Sequence, residues 1–80
     1  MIYLVGIVMD VKESGITVNA GEERRCNIYV FSDSKTEWPQ RVAVGDRVRV
    51  AADALWEKSR ETFKLRFLAK RIEVKRSEVR

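Results

Sequence analysis

Apolar residues recur at every second position through most of this chain, the period of a β-strand, and the runs are separated by turn-forming clusters. The first run, Ile2–Lys12, is apolar on both parities up to Met9, which predicts a strand covered on both sides. Gly6 interrupts it, as a glycine does at a bulge or where a strand bends round a corner. Glu13-Ser14-Gly15 is a turn, and Ile16-Thr17-Val18-Asn19-Ala20 alternates as a half-buried second strand should. After Gly21-Glu22-Glu23 comes a third run, Arg24–Asp33, rich in Ile, Val, Tyr and Phe. Parity sends Cys26, Ile28 and Val30 to one face and Asn27, Tyr29 and Phe31 to the other. Three strands joined by short turns form a meander.

Residues 32–40 break the rhythm. Ser34, with Glu37 three residues on, fits the capping box of a brief helical turn, and Pro39 stops any long helix. The pattern predicts a short helix or turn that plugs one end of the sheet, with Trp38 either packed beneath it or offered as a stacking platform. A fourth strand enters through Gly45-Asp46, with Val48 and Val50 opposite in parity to Arg47 and Arg49. Residues 53–60 have a composition that a helix permits. The all-polar stretch Glu57–Thr62 between two strand-like runs instead predicts a hairpin continuing through Leu55-Trp56-Glu57. In the last run Phe63, Leu65 and Phe67 read as core residues alternating with Lys64 and Arg66. The phase then slips at Leu68-Ala69 and resumes at Ile72 and Val74, which predicts a bulge. One domain over residues 1–75 and a frayed charged tail over 76–80 complete the division.

At 80 residues the chain buries only about 60% of its unfolded surface, so the seven aromatic residues are a large share of what a core needs. Lys and Arg number 16 against 12 acids, and the excess is uneven. Residues 1–23 hold one cation and four acids, whereas residues 24–80 hold fifteen cations and eight acids. A basic majority favours polyanionic partners, although a solvated charged surface produces the same count. The single cysteine excludes an intrachain disulfide and reads as a small buried strand residue. With no histidine, no Gly-rich phosphate loop and no nucleophile–base pair, the sequence does not read as an enzyme, and no cofactor or metal site is expected. Ile2–Met9 is too short to span a membrane, so an intracellular, cytoplasmic location is expected.

The third run carries the most chemistry. If Ile28 and Val30 line the core, Tyr29 and Phe31 face outward beside Asn27, with arginines at the edge. Bases stack on rings and phosphates meet cations, so that face suits a single-stranded nucleic acid. If both faces are buried, the rings are core and the face is lost.

The bend around Gly6-Ile7-Val8, the run Ile28–Asp33 and the sequence Val44-Gly45-Asp46-Arg47-Val48-Arg49-Val50 together resemble the OB-fold, over roughly residues 3–75. The resemblance is to its single-stranded-DNA-binding branch, the replication protein A and single-strand DNA-binding proteins, with SH3-like barrels as the competitor. It implies an all-β, five-stranded Greek-key barrel with a short helical or turn plug between strands three and four. It implies a groove across strands two and three, using Thr17 and Asn19, then Arg25, Asn27, Tyr29 and Phe31. The loop between strands four and five would add Trp56, Lys58 and Arg60, and strand five Lys64 and Arg66. The function so implied is binding single-stranded DNA, or RNA, without sequence preference in replication, repair or phage growth, at the nucleoid if the source is bacterial or phage. A homo-oligomer is expected. The competing class is an OB-fold interaction module, a scaffold subunit whose outward rings form a protein interface. The acidic, Gly/Pro-rich tail with which bacterial single-strand binders recruit partners does not occur in this sequence.

Overall fold

The computed structural model describes residues 1–20 and 26–75, so Arg25 and the tail 76–80 lie outside the described residues. The described residues form five strands and no helix: β1 (Ile2–Lys12), β2 (Gly15–Asn19), β3 (Asn27–Phe31), β4 (Arg47–Ser59) and β5 (Thr62–Lys75). They close into a barrel in the order β1-β2-β3-β5-β4. Neighbours pair antiparallel except β3 and β5, which run parallel where Val30 meets Phe67 and Phe31 meets Leu68. The fold is therefore an all-β closed five-stranded barrel, consistent with the OB-fold.

Alternation builds the interior. Val8, Ile16, Val18, Val30, Val48, Val50, Ala52, Ala69 and Ile72 are buried, and Leu4, Ile28, Phe67 and Val74 pack against them. Most are β-branched, stiff at χ1 and suited to a pleated surface. The small Ala52 and Ala69 lie directly opposite one another.

Gly6 is a corner, not a bulge. The first half of β1 pairs with β4 and the second half with β2, and Ile7 belongs to both ladders. A Cβ on Gly6 would lie 1.9 Å from the Asn19 carbonyl oxygen, so only glycine permits β1 and β2 to approach there. The β1 bulge falls further on, between Val8 and Asp10. The phase slip expected in β5 is also a bulge: Ala51 pairs with Arg71 and Ala52 with Ala69, leaving Lys70 as the extra residue.

The expectation that β1 is covered on both sides fails. Tyr3, Val5 and Met9 are exposed, because no second layer of the described residues covers the outer face of β1. Residues 32–46 contain no helix, and the capping role falls to Asp33 in place of Ser34. The Asp33 Oδ1 accepts the Lys35 N–H at 2.9 Å, and its carbonyl accepts the Thr36 N–H at 3.1 Å. Buried Thr36 donates its hydroxyl to the Ala69 carbonyl at 2.6 Å. Glu37 then adds one bridge to β5, donating its N–H to Lys70 at 3.0 Å and accepting from Ile72 at 2.9 Å. Its carboxylate turns to Arg71 rather than back to Ser34. Trp38 is exposed rather than packed beneath a plug.

β4 and β5 run on past the barrel as a two-stranded arm, paired as far as Ser59 and Thr62. The described residues accordingly span 53 × 30 × 21 Å. Directly opposed residues share a face. One face of the arm carries Ala54, Trp56 and Lys58 against Phe67, Leu65 and Phe63; the other carries Leu55 and Glu57 against Arg66 and Lys64. Phe63 and Leu65, read as core from the sequence, are therefore exposed, since the barrel interior ends at Phe67.

Candidate nucleic-acid interface

The parity of β3 decides what this surface offers. Val30 is fully buried and Ile28 packs on the core, so Asn27, Tyr29 and Phe31 point outward. On β2, Thr17 lies across from Tyr29 and Asn19 across from Asn27, on the same outer face. Tyr29 is 39% exposed and its hydroxyl hydrogen-bonds the Ser14 hydroxyl in the β1–β2 turn, which fixes the ring. Gly15 makes room for this: a Cβ there would lie 2.9 Å from the Tyr29 hydroxyl and 2.1 Å from the Val30 carbonyl oxygen.

Phe31 is only half-buried, but its ring is not bare. The Arg66 guanidinium lies over it, 4.2 Å from the ring centroid. Glu57, opposite Lys64 on the arm, holds that guanidinium with both carboxylate oxygens at 3.3 Å from Nη1. The guanidinium thus lies on the phenyl ring and is held at its edge by the carboxylate. A base would meet the guanidinium plane here, a surface on which bases stack as they do on rings.

β3 and β5 pair only at Val30 and Phe31, so the start of β3 diverges from the base of the arm. Between them opens a cleft of about 610 Å³, lined by Asn27, Tyr29, Phe31, Glu57, Lys64 and Arg66 among others. Asn27, Tyr29, Phe31, Lys64 and Arg66 were all chosen from the sequence, and the topology brings them together. Glu57 was not, because a carboxylate in a polar stretch carries no sign that it will meet an arginine nine residues on, diagonally across the facing strand.

Three other sequence choices sit elsewhere. Trp56, 70% exposed, and Lys58 occupy the opposite face of the arm from Arg66, with the Lys58 ammonium 6.0 Å from the Phe63 ring centroid. Arg60 forms the tip of the arm with a left-handed φ of 55°. Cys26, expected to be buried, is exposed, because regular strand geometry begins only at Asn27. Among the described residues no group of His, Cys, Asp or Glu is placed to hold a metal ion, and no helix is long and apolar enough to cross a membrane.

No protein-family model, curated protein or solved structure matches this chain.

Proposed function

We propose that this barrel binds single-stranded nucleic acid, most simply DNA, through the outer face of β2 and β3 and the base of the arm. The observation that supports the reading is the outward pair formed by Tyr29 and the Arg66-capped Phe31, beside Asn27 and Lys64, in one open cleft. One base stacks on Tyr29 and a second on the Arg66 guanidinium, while Lys64 and Arg66 meet phosphates. Such contacts ignore base identity, because every base has a π-face and every linkage a phosphate. The biological setting in this reading is protection or presentation of single strands during replication, repair or phage growth. It requires no catalytic step.

Anisotropy of a labelled oligo(dT) is the test. Affinity should fall steeply with added salt, as counterions displaced by the cations are re-bound. Tyr29→Ala should weaken it by about 1–3 kcal/mol, roughly 5- to 150-fold. An absence of binding at low salt contradicts the proposal. Titrating RNA of the same sequence separates a DNA binder from a reader of the 2′-hydroxyl.

A second reading rests on the other face of the arm. Trp56 at 70%, Phe63 at 64% and Leu65 at 45% exposure form an uncovered apolar surface on a ribbon that two strands alone hold weakly. That face suits a protein partner or another copy of the chain, as an interaction module requires.

A further inference from the structure

The outer wall carries a second arginine-on-aromatic stack. Arg49 of β4 lies over the ring of Tyr3 of β1, 4.5 Å from its centroid, and Tyr3 is 57% exposed. The stack forms part of a cleft of about 390 Å³ that Lys35, Lys70, Arg71 and Glu37 also line. Two acids are present, Glu37 and Glu73, and both are tied to the same guanidinium, Arg71, at 3.5 and 3.4 Å. Among the described residues no carboxylate lies within ion-pair distance of the side chains of Lys35, Arg49 or Lys70.

These cations are held in place by the fold. Lys70 is the extra residue of the β5 bulge, a device that re-aims a side chain out of the regular alternation. Lys35 belongs to the Asp33–Thr36 turn, which the Thr36 hydroxyl fastens to the Ala69 carbonyl next to Lys70. The Glu37 N–H bonds the Lys70 carbonyl itself. Two ammonium groups are thus brought to one cleft whose two acids are both engaged by Arg71, which an anionic ligand would favour.

The cleft and the β3 groove are both lined by β5. Arg66 and Lys70 lie on the same strand, four residues or about 13 Å apart at strand rise. Leu68 lies between them and pairs with Phe31.

We infer that the Tyr3, Lys35, Arg49 and Lys70 cleft is a second subsite, which takes phosphates of the same single strand after it leaves the β3 groove along β5. The inference rests on the nucleic-acid reading above and extends it to the far wall of the barrel.

The experiment compares oligo(dT) of increasing length, from about 4 to 16 nucleotides, on the wild type and on Lys35→Gln/Lys70→Gln, with a melting curve to confirm folding. The variant should bind the shortest ligand that the wild type retains with unchanged affinity. It should lose about tenfold or more on the long ones at low salt, and its log–log salt slope there should shrink by about 1.4, or 0.7 for each phosphate contact. Should the double variant fail to fold, Lys35→Gln alone, in an exposed turn, should give a slope smaller by about 0.7. An equal loss at every length, or none at any length, overturns the second subsite while leaving the groove intact. A wild type that binds no oligonucleotide overturns both.

Discussion

Phe31 can reach a ligand only through Arg66, and Arg66 is shared with Glu57. The carboxylate that positions the guanidinium also neutralises it and repels an approaching phosphate. This exposed ion pair is worth little to folding, on the order of 1 kcal/mol or less, so its main effect falls on binding. Glu57→Gln keeps the shape and a hydrogen-bond acceptor while removing the negative charge. It should raise affinity for oligo(dT) severalfold at low salt, steepen the salt slope and leave the melting temperature nearly unchanged; a titration beside a thermal melt checks both. A weaker variant would mean that Glu57 positions Arg66 more than it competes with the ligand. Tyr29, Phe31 and Arg66 were legible in the sequence because a strict period of two fixes facing once the core parity is known. Glu57 was not, since its role depends on the pairing register of the arm, which no local pattern states.

At the scale of elements, the strands and most turns follow from alternation and from Gly-Asp and Ser-Gly punctuation. What alternation cannot reveal is where the cover stops. Phe63, Leu65 and Phe67 share one pattern, yet only Phe67 reaches the interior, because the arm projects past the barrel's end. Gly6 shows the same limit: the sequence marks an irregularity, and the structure shows a close approach to Asn19 where β1 changes partners. Cys26 is exposed because β3 starts at Asn27, three residues into the run Arg24–Asp33 that the composition marks as a strand. The arm's separateness has a measurable consequence. Phe63→Ser should change unfolding free energy by less than about 0.5 kcal/mol, as exposed substitutions do. Ile16→Ala, in the filled interior, should cost about 2–5 kcal/mol. Chemical denaturation of the two variants provides the comparison; a large loss from Phe63→Ser would show that the arm's apolar face is covered in solution, as the protein-partner reading requires.

For the whole molecule, the uneven charge becomes a spatial arrangement. The cations of the later strands border the β3 groove and the Tyr3 cleft, and each site sets a guanidinium on a ring. The Asp33–Thr36 turn and the β5 bulge hold the second site, and neither its cleft nor its stack was foreseen, because Tyr3 and Arg49 meet only when the barrel closes β1 against β4. The binding reading stands on position: a ligand should touch the outer face of β3 and the base of the arm, and not the shelf around Trp38 and Pro39 on another side. Amide chemical shifts of the labelled protein, followed while short oligo(dT) is added at low salt, read that position directly. The expected result is saturable movement concentrated at Thr17, Asn27, Tyr29, Phe31, Lys64 and Arg66. Shifts absent from those residues, or centred on Trp38 and Val42, would contradict it.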